Sequence, residues 1–258
     1  MHARQEARWI VQAALQGRAL DGLTTNDVPP EALARADELA RRRASGEPLQ
    51  YVTGTAGFRY LELEVGPGVF IPRPETELVA ERAMERLPEG GIAVELGTGS
   101  GAIALSLASE RPDARVLATE SSETALAYAR ANRKRLSAEV ELLACDLFSG
   151  LPPDLERQVD VVVSNPPYVP VAERGLLPRD VVCHEPHEAL FAPEDGLGVI
   201  RRIAGEARRW LRPGGWLVLE IGDRQGARVR SLLSAARYGD VNVARDLGGR
   251  ERIAEGRR

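Results

Sequence analysis

Hydrophobic residues recur at helical spacing at the start of the chain. One face of a predicted first helix carries Ala7, Ile10, Val11, Ala14 and Leu15. A break at residues 26–30 separates it from a second predicted helix over residues 31–44, whose apolar residues again share one face. Two helices are too few to enclose a large core. The pattern therefore predicts a small helical module, over residues 1–48, that is docked or tethered to the rest.

Apolar and polar residues then alternate between glycines over residues 49–72. The apolar positions of this segment are Phe58, Tyr60, Leu61, Leu63 and Val65. Alternation with a period of two residues is typical of strands, and the glycines supply turns. We predict a β-hairpin here that links the helical module to the remaining chain, residues 73–258.

Helical periodicity alternates with short apolar runs from residue 72 onward. We predict strands at 92–96, 115–120, 140–144, 159–164, 216–221, 241–246 and 252–254. The predicted helices cover 75–87, the segment from the glycine turn to 110, 123–135, 198–211 and 225–236. Strands that alternate with helices form a parallel, doubly wound sheet, so the fold class is α/β.

Composition limits the class of protein. The net charge is −4, which provides no overall basic field for nucleic acid. No apolar run approaches the roughly 20 residues that cross a bilayer, and the first residues lack a signal peptide's apolar region. We expect a cytoplasmic protein without a membrane partner or a direct nucleic-acid partner. Cys183, with His184 and His187, lacks the second ligand cluster that structural zinc needs, so no metal is expected.

A glycine-rich segment follows the first strand of the predicted sheet and opens a helix. Its glycines let the backbone approach a ligand closely, and the N-terminus of the helix offers unpaired N–H groups. The candidate cofactor-binding residues are Gly97, Thr98, Gly99, Ser100 and Gly101. Such a loop fits NAD, FAD or S-adenosylmethionine, or a plain turn. Glu95 beside it favours S-adenosylmethionine, because a carboxylate attracts its cationic amino-acid end and repels a pyrophosphate. Glu120 ends the next strand and can accept both hydroxyls of a ribose.

Four further residues are candidates for cofactor contact, two of them as alternatives. Asp146 follows the third strand, where it can accept a hydrogen bond from an adenine amino group or cap the next turn. Either Leu147 or Phe148 then covers the adenine ring. Phe70 either contacts the cofactor or is simply buried.

The segment Ser-Asn-Pro-Pro-Tyr at 164–168 follows the fourth strand and carries the chemistry. The consecutive Pro166 and Pro167 cannot continue a ladder and leave carbonyl oxygens without local donors. Asn165 adds a side-chain carbonyl and Tyr168 an aromatic face, a set that fits a planar –NH2 group. We expect Asn165 and the Pro166 carbonyl to accept its two hydrogens, while the Tyr168 ring packs on its plane. Catalysis is then mainly alignment of the nitrogen lone pair on the methyl donor.

The glycine loop, Glu120 and Asn-Pro-Pro-Tyr together resemble class I methyltransferases that act on amino nitrogens. The segments at 46–54, 70–77, 184–190 and 195–197 resemble the peptide chain release factor glutamine N5-methyltransferases (the HemK/PrmC family). That resemblance implies an N-terminal helical domain for substrate recognition, a hairpin linker and a Rossmann-like domain with a mostly parallel seven-stranded sheet and an antiparallel final strand. It also implies S-adenosylmethionine as cofactor, the glutamine of the Gly-Gly-Gln motif in class 1 release factors as substrate, and a monomer.

Two other functions remain possible from the residues alone. An adenine methyltransferase of nucleic acids shares the amino-nitrogen pocket, but it needs a basic groove and a flipped base. An NAD-dependent oxidoreductase shares the glycine loop and the acidic strand end, but not the Asn-Pro-Pro-Tyr segment. The acidic balance of the chain and residues 165–168 favour the glutamine methyltransferase.

Overall fold

The computed structural model describes residues 2–15, 28–193 and 195–258. The helices are α1 (His2–Ala14), α2 (Pro30–Ala44), α3 (Leu49–Thr53), α4 (Pro74–Arg86), α5 (Ala102–Glu110), α6 (Glu123–Leu136), α7 (Arg179–His184), α8 (His187–Leu190), α9 (Gly198–Trp210) and α10 (Gly226–Ala235). The strands are β1 (Thr55–Phe58), β2 (Leu61–Glu64), β3 (Ile92–Leu96), β4 (Arg115–Glu120), β5 (Val140–Ala144), β6 (Val159–Ser164), β7 (Val169–Pro170), β8 (Phe191–Ala192), β9 (Leu211–Glu220), β10 (Gly239–Arg245) and β11 (Glu251–Arg257).

Seven strands form one central sheet, in the order β10-β11-β9-β6-β3-β4-β5. β3 pairs in parallel with β4 and β6, and β4–β5 and β6–β9 are parallel as well. β11 is antiparallel to both of its neighbours, β9 and β10. The predicted α/β class, with a mostly parallel seven-stranded sheet and an antiparallel final strand, is confirmed.

Helices cover both faces of the sheet. Successive side chains of a strand point to opposite faces, so each central strand contributes to both cores. Val94, Leu96 and Val162 pack on one face with the apolar sides of α9 and α10. Ala93 and Val163, from the same strands, pack on the other face with α4 and α5. The central strands therefore read as continuous apolar runs, which is how the sequence reveals them.

The strand bounds agree with the predictions from β3 to β6 and differ at β9. We predicted a turn over residues 212–215 and a strand from 216, whereas β9 already begins at Leu211. Val159 pairs with Leu211 and Val161 with Trp216, so the residues between Leu211 and Trp216 bulge out of the ladder. Gly215 allows this bulge, since a Cβ there would lie 2.9 Å from the Val159 carbonyl oxygen.

The two predicted N-terminal helices form and pack together. Ile10 and Ala14 of α1 bury against Leu39 of α2 and Val52 of α3. Arg43 of α2 pairs with Glu6 of α1 at 3.0 Å. Residues 26 and 27 of the predicted break lie outside the described residues.

The segment predicted as a hairpin begins with a helix instead. Leu49–Thr53 forms α3, and the turn that follows is Gly54, whose φ is 80°. Only residues 55–64 pair as the antiparallel hairpin β1–β2. The helix forms because it buries apolar residues on two sides: Val52 faces α1 and α2, and Tyr51 packs with Val65, Val69 and Ile71.

Asn132 fastens the hairpin to the catalytic part of the chain. This buried side chain of α6 accepts a hydrogen bond from the Glu64 N–H at 2.7 Å and donates to the Glu64 carbonyl at 3.0 Å. Its Nδ2 also donates to the Ser100 carbonyl at 3.0 Å, inside the glycine-rich segment. The hairpin and that segment therefore share one anchor. In the part of the chain that the structure describes, no helix is long and apolar enough to cross a membrane.

Candidate active site

A cavity of about 240 Å³ opens at the carboxyl ends of β3, β4, β5 and β6. The strand order reverses between β3 and β6, and such switch points leave a crevice for ligands in doubly wound sheets. Ser164 Oγ donates to the Leu96 carbonyl at 2.7 Å and joins the ends of these two strands. The glycine-rich segment and Asn-Pro-Pro-Tyr, far apart in sequence, thus flank the same crevice.

The glycine-rich segment forms a tight loop between β3 and α5. Gly97, Gly99 and Gly101 have φ values of 69°, 58° and 92°, a region that side chains disfavour. Gly97 and Thr98 donate their N–H groups to the Thr119 carbonyl at 2.9 and 3.0 Å, which ties the loop to β4. The cavity wall includes the predicted residues Gly97, Thr98, Gly99 and Ser100.

Gly101 has a different place from the rest of the loop. It caps the start of α5 and is not among the residues that line the cavity. A Cβ there would lie 2.7 Å from the Leu105 side chain and 3.7 Å from Ala129 of α6. The Leu105 side chain of α5 therefore occupies the space that a side chain at Gly101 would need.

Glu95 is buried at the end of β3 and lines the cavity. Its Oε2 accepts hydrogen bonds from the Thr98 hydroxyl at 2.5 Å and from the Ala104 N–H at 2.8 Å. Burial raises the pKa of Glu95 to about 8, and the two hydrogen bonds only partly oppose that rise. A cation beside Glu95 would stabilise the ionised form.

Glu120 lines the cavity at the end of β4. Its two carboxylate oxygens accept from the Gly99 N–H at 2.8 Å and from the Ser122 N–H at 2.9 Å. A carboxylate oxygen can accept more than one hydrogen bond, so both oxygens still have capacity for a ribose hydroxyl. The backbone contacts hold the carboxylate in the orientation that such recognition needs.

The structure of the segment after β5 shows which of Leu147 and Phe148 can contact a ligand. Leu147 lines the cavity and has a φ of 49°, uncommon for a residue with a side chain. Phe148 is buried in the core and stacks on Trp210, with ring centroids 6.2 Å apart. Of the two, Leu147 is therefore the one that a ligand can touch. Asp146 also lines the cavity and pairs with Arg202 of α9 at 2.5 Å.

Asn165 takes part in hydrogen bonds that run from the cavity into the core. Its Nδ2 lies 3.2 Å from Thr76 Oγ1 in the first turn of α4. That hydroxyl lies 2.6 Å from Glu220 Oε2 at the end of β9. The Tyr168 hydroxyl contacts the same carboxylate, 3.0 Å from Oε1. Asn165, Pro166, Pro167 and Thr76 line the cavity, whereas Tyr168 is not part of its wall.

The groups around Glu220 shift its pKa in opposite directions. Burial raises the pKa of Glu220, while the hydroxyls of Thr76 and Tyr168 and the positive charge of Arg252 oppose the rise. Arg252 Nη1 lies 3.4 Å from the Tyr168 hydroxyl. Burial also raises the pKa of Tyr168 far above its usual range, so this hydroxyl keeps its proton and donates.

The backbone of Tyr168 is fixed from the side of α10. Gln225 Nε2 donates to the Tyr168 carbonyl at 2.9 Å, and Gln225 Oε1 accepts from the Gly222 N–H at 2.9 Å. Gly196, with a φ of 79°, passes so close that a Cβ there would overlap the Tyr168 carbonyl oxygen. Two loops are thus packed directly against the Asn-Pro-Pro-Tyr segment.

Another part of the cavity wall joins the chain before α4 to the irregular stretch before α9. Phe70 lies on this wall, as do Pro186 and Glu188. The fully buried Glu185 connects the two segments, because it accepts from the Ile71 N–H at 3.2 Å and pairs with Arg73. The Arg73 guanidinium in turn lies over the Phe70 ring, 4.8 Å from its centroid.

Sequence reasoning missed several residues of this region. Thr76 fell within a predicted helix and a family-like segment, and Glu220 within a predicted strand, but neither was predicted as a site residue. Their common signal is a polar residue in an otherwise buried position, which shows only once the fold is known. Arg202 lies on α9, whose face the sequence did not assign to the cavity, and Gln225 is the residue that precedes α10.

The charges of the cavity suit a cationic ligand. Among the described residues that line it, the acids are Glu95, Glu120, Asp146 and Glu188, and the base is Arg202, already paired with Asp146. A pyrophosphate would be repelled, whereas a sulfonium or ammonium group would offset the acids. The residues therefore fit S-adenosylmethionine. In the same described ranges, no group of three or more His, Cys, Asp or Glu side chains converges as a metal site.

Two family models match the sequence. The PrmC N-terminal domain matches residues 1–54, and the methyltransferase small domain matches residues 66–177. The release factor glutamine methyltransferase of Mycolicibacterium smegmatis is 48% identical over 231 residues, which are 88% of this chain and 81% of the relative. That of Geobacter sulfurreducens is 40% identical over 259 residues, 99% of this chain and 90% of the relative.

The chain belongs to the release factor glutamine methyltransferase family. Membership confirms the predicted S-adenosylmethionine-dependent glutamine methyltransferase over the adenine methyltransferase and the oxidoreductase. A crystal structure of a methyltransferase from Pyrococcus furiosus has a TM-score of 0.59 and 21% identity, over 88% of this chain and 98% of that one. At 21% identity this similarity shows a shared fold.

Proposed function

We propose that this enzyme methylates the side-chain amide nitrogen, N5, of the glutamine in the Gly-Gly-Gln motif of class 1 peptide chain release factors. One observation carries the proposal. Asn165 and Pro166 line the same cavity as the glycine loop and the acids beside it, so amide acceptors and a cofactor site share one space. Methyl transfer requires that juxtaposition, since donor carbon and acceptor nitrogen must lie in line.

The cofactor is held by the residues around the glycine loop. Backbone groups of Gly97, Thr98, Gly99 and Ser100 would hold it, while Gly101 begins α5 behind the loop. Glu95 offsets its positive charge and Glu120 accepts the ribose hydroxyls. Asp146 accepts from the adenine amino group, Leu147 covers the ring, and Phe70 and Asn165 complete the site.

The amide is aligned by acceptors rather than activated by a base. When bound, S-adenosylmethionine would supply the methyl group as an electrophilic carbon on a positively charged sulfur, with a neutral thioether as the leaving group. Asn165 Oδ1 and the Pro166 carbonyl accept the two amide hydrogens, which aims the nitrogen lone pair at that carbon. Pro167 has no N–H that could compete for these oxygens. Because Tyr168 is not part of the cavity wall, we assign it to holding the Asn-Pro-Pro-Tyr segment in place through the hydrogen bond from its hydroxyl to Glu220. The acidic proton of the methylated nitrogen leaves to solvent.

The remaining parts of the chain serve recognition. We assign residues 1–48 to an N-terminal domain that recognises the release factor, 49–72 to the linker and 73–258 to the catalytic domain. Val52 packs against the helices of the N-terminal domain, and Asn132 joins the hairpin to the glycine loop, so contacts on both sides of the linker support a fixed relation between recognition and catalysis. The enzyme acts as a cytoplasmic monomer without direct contact to nucleic acid.

Replacement of Asn165 tests this assignment. Asn165→Ala removes one amide acceptor, so kcat falls on the order of 100-fold, as for the loss of one orienting hydrogen bond in a transition state. The Kd for S-adenosylmethionine, measured by calorimetry, changes much less. Asn242→Ala, in β10 and bonded to Glu255, is the matched control and keeps the wild-type rate. An Asn165→Ala enzyme with the wild-type kcat contradicts the assignment.

A further inference from the structure

We propose that Thr76 and Glu220 are positioning residues, which fix the direction in which the Asn165 side-chain amide points. This inference rests on the proposed function, in which Asn165 Oδ1 accepts a hydrogen from the substrate amide. Thr76 belongs to α4 and Glu220 to β9, so neither is part of the Asn-Pro-Pro-Tyr segment. They act through Asn165 rather than on the reacting atoms.

The direction of these hydrogen bonds follows from the chemistry of the carboxylate. The carboxylate oxygens of Glu220 are acceptors in both of its contacts with hydroxyls. Thr76 Oγ1 donates to Oε2 at 2.6 Å, and the Tyr168 hydroxyl donates to Oε1 at 3.0 Å. Once the Thr76 proton points to Glu220, Thr76 Oγ1 can only accept, and the Asn165 group at 3.2 Å must be its NH2. Asn165 Oδ1 is thereby turned to the opposite side.

The opposite orientation of Asn165 would stop the reaction. The oxygen and the NH2 group of an amide have nearly the same shape, so packing alone selects weakly between the two orientations. A flipped Asn165 would present N–H donors to the N–H donors of the substrate amide, and neither would have an acceptor. Selecting the correct orientation is thus a requirement that the Asn-Pro-Pro-Tyr segment does not meet alone.

The surroundings make this selection strong. Thr76 and Glu220 are only 4% and 1% exposed, so water cannot easily replace either partner. A buried carboxylate is costly unless it is satisfied, and here two hydroxyls and the nearby Arg252 satisfy it. Tyr168 joins the Asn-Pro-Pro-Tyr segment to the same carboxylate, so both ends of the motif are oriented by Glu220.

Variants of Thr76 separate positioning from packing. Thr76→Val keeps the shape but removes the acceptor for Asn165, so kcat falls about tenfold, the rate equivalent of one orienting hydrogen bond. Thr76→Ser keeps the hydroxyl and returns kcat to within about threefold of wild type. The Kd for S-adenosylmethionine stays within about twofold in both. Thr53→Val, in α3, removes a hydroxyl that is bonded to the Leu49 carbonyl and serves as the matched control.

A double-mutant cycle tests whether Thr76 acts through Asn165. If it does, Thr76→Val causes no further loss in an Asn165→Ala background, because there is no amide left to orient. Equal losses in both backgrounds would overturn the inference. The Asn165 side-chain NH2 resonances, assigned with Asn165→Ala, give a readout besides activity: they shift in Thr76→Val and stay near their positions in Thr76→Ser. Unchanged resonances in Thr76→Val would also overturn it.

Glu220→Gln is the second variant, should Thr76→Val fail to fold. Its side chain must donate through Nε2 to one of the two hydroxyls, which reverses part of the chain of hydrogen bonds. We expect a kcat loss of at least about tenfold with the cofactor Kd nearly unchanged. A Glu220→Gln enzyme with wild-type kcat overturns the inference. Wild-type activity of Asn165→Ala would instead remove the proposed function itself, so the two failures are distinguishable.

Discussion

Glu95 Oε2 accepts a hydrogen bond from the backbone N–H of Ala104 at 2.8 Å, which places a buried carboxylate inside the first turn of α5. The helix N-terminus and the Thr98 hydroxyl favour the ionised acid, but burial outweighs them and raises the pKa of Glu95 to about 8. Near neutral pH the ligand-free protein thus holds a protonated acid beside the cofactor loop. A cationic cofactor reverses that preference.

Cofactor affinity should therefore depend on pH. Because binding favours the ionised Glu95, the Kd for S-adenosylmethionine falls as pH rises from about 6 to 7.5, by up to about tenfold per pH unit. Calorimetry in buffers of different ionisation enthalpy should detect proton release on binding. Glu95→Gln weakens binding and flattens the dependence. Equal slopes for the wild type and Glu95→Gln would exclude Glu95 as the titrating group.

The same pKa sets the stability of the ligand-free protein. A carboxyl group with a raised pKa in the folded state stabilises fully below its ordinary value of 4.5, and that stability is lost as pH rises towards 8. The loss from this group is at most about 1.4 kcal/mol per pH unit. Urea unfolding of the wild type and Glu95→Gln at several pH values isolates the contribution, which the variant should lack.

Gly196→Ala should destabilise the protein and lower its activity. The added Cβ would overlap the Tyr168 carbonyl and lie 2.8 Å from Gln225 Nε2. The alanine would also have to adopt a φ of 79°. We expect a loss of about 2–4 kcal/mol in the free energy of unfolding, from backbone strain and overpacking together. Gly205→Ala is the control, since nothing lies near its Cβ and it is exposed within α9. It should stabilise by about 0.5–1 kcal/mol; a similar effect at both sites would refute the close contact.

Arg73→Ala should cost far more than the loss of an exposed arginine. It leaves the Glu185 carboxylate, 1% exposed, without its cationic partner. Removing one partner of a buried ion pair lowers the free energy of unfolding by about 3 kcal/mol or more. We expect a smaller loss here, because Arg73 itself is partly exposed. Arg115→Ala breaks an exposed pair with Glu141 and should cost less than about 1 kcal/mol. Denaturant unfolding of both variants gives the comparison, and equal costs would show that Glu185 is not held by Arg73.

Leu147→Ala should weaken cofactor binding, whereas Phe148→Ala should lower the stability of the fold. Leu147 lines the cavity, so its truncation raises the Kd for S-adenosylmethionine several-fold, roughly the value of one or two lost methylene contacts. Phe148 is in the core against Trp210, so its truncation costs about 3–5 kcal/mol in unfolding free energy. Binding calorimetry and thermal unfolding separate the two. If Leu147→Ala leaves the Kd unchanged, Leu147 does not cover the adenine.

The sheet was predictable because its strands are buried on both faces and are separated by amphipathic helices. β3, β4, β5 and β6 have the bounds that were predicted from their apolar runs. α3 was not predicted, since five residues are too few to show a helical period. The bulge in β9 was not predicted either, because Arg-Pro-Gly-Gly has the sequence of a turn. Only the pairing with β6 extends the strand across these residues.

The site was predictable where chemistry follows a strand end directly. Glu95, Glu120 and Asn165 each end or follow a strand, and parallel strands bring such residues to one edge. Thr76 and Glu220 could not be assigned, because their role depends on contacts across 144 positions of the chain. Tyr168 was identified, but its bond to Glu220 was not, since a motif specifies the residue and not its partner.

Methylation of the release factor itself tests the central claim most directly. The purified enzyme is incubated with labelled S-adenosylmethionine and a class 1 release factor, either wild type or with the glutamine of its Gly-Gly-Gln motif replaced. We expect one methyl group on the wild-type protein, located on that glutamine by peptide mass spectrometry, and none on the replaced protein. Equal label on both proteins, or none on the wild type while the cofactor binds normally, would contradict it.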